Sequence, residues 1–173
     1  MFTIKVLQIV GFKNSGKTTL ITEFLDLAKN NGKTISTIKH HGHGGSLDLP
    51  PVETDSMKFF NHGAQSSLAY GEGVVQIHMQ NNTGNLDELI EMSCQTKPDI
   101  VLIEGFKKAA FDKVVLVRSQ QDWDTLQELD NIVLVIVHEG MQLKGISTLE
   151  RNRLDDIYKW FAKWMAGETN ESI

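Results

Sequence analysis

A chain of 173 residues is long enough to bury one substantial core and fits a single domain over 1–173. A net charge of −5, with Lys and Arg scattered along the chain, excludes a basic face for nucleic acid, and no apolar run reaches membrane-spanning length. The lone Cys94 excludes an internal disulfide, and no charged-then-apolar leader starts the chain, so the expectation is a cytoplasmic protein that engages neither nucleic acid nor membrane.

The first element is an apolar strand run, Ile4 to Val10, and Gly11-Phe12-Lys13-Asn14-Ser15-Gly16-Lys17-Thr18 follows it directly. That octet matches G-x-x-x-x-G-K-[ST], and a helical pattern follows it, so strand, glycine-bounded loop and helix N-terminus stand in the order a phosphate-binding P-loop needs. Gly11 and Gly16 free the backbone so that N–H groups from Asn14 to Thr18 can converge on a phosphate at the positive end of the helix dipole. Lys17 is placed for the β- and γ-phosphates, Thr18 for one Mg²⁺ position and Thr19 for the α-phosphate of a nucleoside triphosphate. Lys13 reads either as a solvated loop lysine or as a second phosphate contact, including one donated across a dimer.

Leu20, Ile21, Phe24, Leu25 and Ala28 recur at helical spacing until Asn30-Asn31-Gly32 ends the helix, and a strand over Thr34 to Lys39 completes a βαβ unit with parallel pairing. Lys39 to Val52 is a long loop rich in Gly, His and Pro. Thr54 reads as the N-cap of a short helix ending before Gly63, and Ser66–Tyr70 and Val74–Met79 flank Gly71-Glu72-Gly73 as a hairpin added to the sheet. Leu86 to Cys94 is helical, with Cys94 on the apolar side beside Leu86, Leu89 and Ile90 as a core thiol. Ile100–Ile103, Val114–Val117 and Ile132–Val137 are buried-strand runs. Ser147-Thr148-Leu149-Glu150 has capping-box spacing before a last helix whose apolar face is Leu154, Ile157, Tyr158, Phe161 and Met165, with Trp160 and Trp164 at its border as packing or partner-facing aromatics. The fold class is α/β: a doubly wound, mostly parallel sheet of the P-loop NTPase type with an antiparallel hairpin addition.

In such a sheet ligands collect outside the carboxyl ends of the strands. Glu104-Gly105 follows Ile103, so Glu104 is the candidate acid that holds Mg²⁺ directly or through water, while Asp99 at the other end of that run reads as a turn residue. Lys39 and His40 end the second strand and can reach phosphate; His41 and His43 follow, but with no cysteine nearby a phosphate or substrate loop fits better than zinc or nickel. Asp48 and Asp55 are candidates to supplement the metal shell when this loop closes, Asp55 also serving its helix N-terminus. No guanine-reading [NT]-K-x-D occurs, and Val137-His138-Glu139-Gly140 is the candidate wall of a base pocket.

The P-loop with Thr19, the Lys39-His40 strand end with its histidines, Asp55-Ser56 with His62-Gly63-Ala64, and Glu104-Gly105-Phe106-Lys107 together resemble the molybdopterin-guanine dinucleotide biosynthesis protein B (MobB) family over about the first two-thirds of the chain. The resemblance implies a GTP-binding homodimer that needs Mg²⁺, is at most a low-turnover GTPase through Lys17, Thr18 and Glu104, and assists the molybdenum-cofactor guanylyltransferase. Two departures stand out: the family's Asp-x-Pro-Gly-x-Asp-Ser stretch is here the longer Asp48-Leu49-Pro50-Pro51-Val52-Glu53-Thr54-Asp55-Ser56, and an Ala-Gly-Ala triplet is His62-Gly63-Ala64. Other readings on the same scaffold are a small-molecule kinase or ATP-dependent ligase resembling dethiobiotin synthetase, and a nickel-insertion GTPase, whose expected Cys-containing metal motif is absent from the sequence.

Overall fold

The computed structural model describes residues 4–42 and 47–168. In chain order its elements are β1 (Lys5–Gly11), α1 (Lys17–Asn30), β2 (Ile35–Lys39), α2 (Asp55–Asn61), β3 (Ser66–Gly71), β4 (Val74–Met79), α3 (Leu86–Ser93) with a 3₁₀ turn at Cys94–Thr96, β5 (Ile100–Glu104), β6 (Asp112–Val117), α4 (Gln120–Leu126), β7 (Ile132–Val137), β8 (Leu149–Glu150) and α5 (Leu154–Ala166). No helix among the described residues is long and apolar enough to cross a membrane. Contacts divide the chain into two compact units, one formed by the residues up to His40 with those from Leu86 onward, the other by His41–Asn85.

The first unit is built on a six-stranded parallel sheet in the order β2-β5-β1-β6-β7-β8. Its inner strands β5, β1, β6 and β7 carry buried apolar runs because both faces are covered. On one face Leu7, Ile9, Ile100, Leu102, Val114, Leu116, Leu134 and Ile136 meet Leu20 and Phe24 of α1 and Ile157 and Phe161 of α5. On the other, Val10, Val115, Val117, Val135 and Val137 meet Trp123 and Leu126 of α4, and Val101 and Ile103 meet Leu86. The period-2 alternation of each strand thus feeds two helical layers, as a doubly wound sheet requires.

The structure corrects three details. β1 and β2 do not pair, because β5 lies between them; β5 is buried along its length, whereas β2 carries exposed positions and suits the sheet edge. The capping box does not form: Leu149 and Glu150 instead pair with Ile136 and Val137 as β8, Leu149 packs on the core, and α5 starts at Leu154 after Arg153. Cys94 is half-buried in a 3₁₀ turn, not a core residue of α3.

In the second unit β3 and β4 pair only with each other among the described residues, so the hairpin is a two-stranded sheet of its own. Ser67 and His78 are opposed and buried, as is Met57 of α2. Leu68, Tyr70, Val75 and Ile77, the cross-strand pairs of the other face, are 62%, 78%, 53% and 50% exposed.

Candidate functional site

β1, β2 and β5 deliver Gly11, Lys39 and Glu104 to the carboxyl end of the sheet, and the loop from Gly11 to Gly16 passes over that end into α1. Gly11 is required by close approach: a Cβ there would stand 2.5 Å from Ser15 Oγ and 3.0 Å from the Leu116 carbonyl oxygen. Asn14 has φ 61° and Gly16 φ 88°, the left-handed turns that let consecutive amides face one side. No side chain caps the N-terminus of α1 and no acid occupies its first turn, so the N–H groups there are left for an anion. Thr18 and Thr19 are exposed at that end.

Lys17 Nζ donates to the Phe12 carbonyl oxygen at 2.7 Å, which holds the ammonium across the loop. Burial pushes its pKa below the ordinary lysine value, Lys107, Lys39 and Arg118 add to the effect, and Glu104 opposes it. An ammonium so crowded by like charge gains from any polyanion placed among these groups. Thr18 Oγ1 donates to Glu104 Oε2 at 3.0 Å, and Lys39 Nζ lies 3.6 Å from the same oxygen. A hydroxyl and a carboxylate in contact beside a lysine are a hard-oxygen donor pair suited to Mg²⁺.

The turn after Glu104 is held in an unusual conformation. Gly105 has φ 95° and Phe106 φ 49°, and a Cβ on Gly105 would stand 3.0 Å from His40 Cβ. Gln8, wholly buried in β1, donates Nε2 to both the Gly105 and Phe106 carbonyl oxygens at 3.0 and 2.8 Å. His40 in turn lies against the Phe106 ring, centroids 4.6 Å apart, so it supports the turn that carries Glu104. Asp99 sits at the far end of β5, where its Oδ2 accepts from the Thr34 N–H and hydroxyl, as the turn reading expects.

The structure therefore brings Gly11, Lys13, Asn14, Ser15, Gly16, Lys17, Thr18, Thr19, Lys39, His40 and Glu104 to one end of the sheet within the first unit. Asp55 belongs to the second unit, where its carboxylate pairs with Lys58 at 3.2 Å. His43 lies outside the described residues.

Sequence reasoning gave no role to several residues at this end of the sheet, Lys107 among them although it stands in the quoted Glu104-Gly105-Phe106-Lys107 stretch. Lys107 Nζ stands 4.1 Å above the Phe12 ring. Arg151, at the end of β8, pairs with Glu23 of α1 at 2.9 Å. Arg118, at the end of β6, donates Nη1 to the Lys13 carbonyl oxygen at 2.9 Å while its Nε and Nη2 bond the Asp122 carboxylate. The rule that selected Glu104, inspection of the first residue beyond a buried strand run, also selects Arg118 after Val117.

A family model described as molybdopterin guanine dinucleotide synthesis protein B matches residues 6–138. A Bacillus subtilis (strain 168) protein described as a probable molybdopterin-guanine dinucleotide biosynthesis adapter protein is 39% identical over 131 residues, 76% of this chain and 75% of that one. The Haemophilus influenzae adapter protein is 29% identical over 162 residues, 94% of this chain and 90% of its own. Among solved structures, a MobB homolog from Bacillus stearothermophilus superimposes with a TM-score of 0.76 at 31% identity, covering 94% of this chain and 98% of the other, and Bacillus subtilis MobB with 0.75 at 29%, covering 92% and 98%.

Proposed function

We propose that this chain, which belongs to the MobB family by its match over residues 6–138, is a cytoplasmic adapter of molybdopterin-guanine dinucleotide biosynthesis that binds GTP with Mg²⁺ and assists the guanylyltransferase of that pathway. The observation that carries the nucleotide part is the Thr18–Glu104 contact at 3.0 Å beside an uncapped helix N-terminus. Gly11, Lys13, Asn14, Ser15, Gly16, Lys17, Thr18 and Thr19 form the phosphate cradle in this reading, Lys39 and His40 its border, and Thr18 with Glu104 the Mg²⁺ side. Ser15 Oγ, buried without a hydrogen-bond partner, fits a cradle whose polar groups are satisfied by a ligand. Bound Mg²⁺ would offset the charge of the β- and γ-phosphates. Any hydrolysis through Lys17, Thr18 and Glu104 is slow in this reading, as the family resemblance implies, with the one carboxylate of the three bonded to Thr18 and assigned to Mg²⁺.

The same proposal includes a homodimer. The exposed face of Leu68, Tyr70, Val75 and Ile77 is an apolar surface that a second copy would cover.

Thermal unfolding tests the nucleotide claim. GTP with Mg²⁺ raises the melting temperature more than ATP with Mg²⁺ does; at 100 times its dissociation constant a ligand adds about 2.7 kcal/mol of stability over the free protein, and Lys17→Ala abolishes most of the gain. Equal or greater stabilisation by ATP would move the reading to a kinase or ligase. With molybdopterin, GTP and an active guanylyltransferase, the protein raises the yield of dinucleotide cofactor and Lys17→Ala does not; equal yields would remove the pathway role.

A further inference from the structure

We propose that Arg118, oriented by Asp122, is a positioning residue that presets the Asn14 amide of the P-loop for phosphate. The inference rests on the triphosphate-binding reading and adds to it a residue outside the P-loop itself.

A phosphate cradle works only if its N–H groups face the anion, and each carbonyl that faces inward instead repels it. In a trans peptide the C=O and the following N–H point in opposite directions. The Lys13 carbonyl and the Asn14 N–H belong to one such peptide, and Arg118 Nη1 holds that carbonyl at 2.9 Å. Drawing the carbonyl toward the guanidinium directs the Asn14 N–H away from it. Asn14 sits at φ 61°, a left-handed conformation that asparagine adopts more readily than most non-glycine residues, so the direction of the peptide before it needs a restraint of its own. The neighbouring peptide differs: the Phe12 carbonyl accepts from Lys17 at 2.7 Å, the very ammonium the phosphates would claim, and otherwise, among the described residues, only from the Ser15 N–H of the loop itself at 3.3 Å. Arg118 leaves the Lys13 peptide restrained whether or not Lys17 is engaged.

The guanidinium is itself fixed. Nε donates to Asp122 Oδ2 at 2.9 Å, Nη2 to Oδ1 at 3.3 Å, and the Arg118 N–H to Oδ2 at 3.2 Å. Asp122 is only 8% exposed and its own N–H is taken by Ser119 Oγ at 3.2 Å, so the carboxylate is anchored in the first turn of α4. The two guanidinium bonds to Asp122 and the one to the loop make a planar brace running from α4 to the P-loop, and the backbone N–H adds a third bond to the same carboxylate. A lysine at 118 presents a point charge and cannot bridge both partners as a fork does.

Binding of a fluorescent GTP analogue with Mg²⁺ to the full chain tests this, with the Asn14 amide followed by ¹⁵N NMR. Arg118→Ala and Arg118→Lys are expected to weaken binding roughly tenfold, the scale of one charge-assisted hydrogen bond, and to shift the Asn14 amide in the free protein. Asp122→Asn is expected to do the same in lesser degree, and the Arg118→Ala/Asp122→Asn double variant to bind no worse than Arg118→Ala, because the two act as a unit. Melting temperatures of the free variants identify any that merely unfold, and Arg118→Lys carries the test if Arg118→Ala does. Wild-type affinity in Arg118→Lys would mean that positive charge alone matters and would overturn the inference, as would an unmoved Asn14 amide. If wild type binds, Lys17→Ala does not and Arg118→Ala binds as wild type, only this inference falls. If wild type binds no nucleoside triphosphate, the functional reading falls with it.

Discussion

At the scale of single residues, the cradle is a balance of charges whose signs are readable one at a time. Asp122 is held below the ordinary carboxylate range chiefly by its hydrogen bond to the Arg118 side chain, against the cost of its burial. A carboxyl whose pKa is depressed on folding contributes stability above its unfolded value, near 3.9, and loses it as pH falls through the folded value. The stability of wild type above that of Asp122→Asn should therefore be full at neutral pH and shrink progressively below about pH 4, as read from urea unfolding at a series of pH values. A gap that does not change with acidification would mean that the carboxylate charge plays no part. The Gly11, Lys17, Thr18 and Glu104 arrangement was legible because each residue type has a narrow chemical reason to occupy its motif position. Arg118 and Gln8 were not, since their work is done on carbonyl oxygens far away in the chain: Gln8 on Gly105 and Phe106, Arg118 on Lys13.

At the scale of elements, α1 and α5 are joined by aromatic packing on one face of the sheet. Phe24 and Phe161 stack with ring centroids 3.9 Å apart and planes within 6°, and Trp164 extends the stack at 5.9 Å. Trp164, read from its helical position as a border residue, is 5% exposed and donates Nε1 to Asp112 Oδ2 at 3.0 Å. Lys5 of β1 ties the end of α5 by bonds to the Trp164 and Met165 carbonyl oxygens. Phe161→Ala should cost about 3–5 kcal/mol in chemical unfolding, since it removes a wholly buried ring at the meeting of two helices and the sheet. A loss below about 1 kcal/mol would show that the neighbours collapse into the space. Long apolar runs and the helices after them were evident from periodicity, whereas β8 and α4 were not. β8 has two residues, too few for a period, and α4 has seven, with Trp123 and Leu126 as its buried apolar contacts. The pairing order was also hidden, because a strand's sequence shows that it is buried but not which strand lies beside it.

At the scale of the whole molecule, the two units have different surfaces. The first buries its apolar residues on both sides of a parallel sheet, while the hairpin unit exposes a cross-strand apolar face. Light scattering coupled to size-exclusion chromatography should give twice the 19.4 kDa chain mass, and a Leu68→Lys/Ile77→Lys variant should elute as one chain with its nucleotide response retained. A monomeric wild type would remove the dimer from the functional proposal without touching the cradle.

The insertion of β5 between β1 and β2 has a consequence for synthesis. β1 reaches its register only through Lys5 opposite Ile100 and Leu7 opposite Asp112, and β2 pairs with β5 alone. On a ribosome adding about 5–20 residues per second, β1 waits roughly 5–20 s and β2 roughly 3–12 s for β5, with the apolar face of α1 uncovered meanwhile. The nascent chain thus carries two unpaired apolar edges until β5 emerges, a window in which a holding chaperone would have something to grip, and a ribosome stalled before Ile100 would present the phosphate motif with no sheet to shape it.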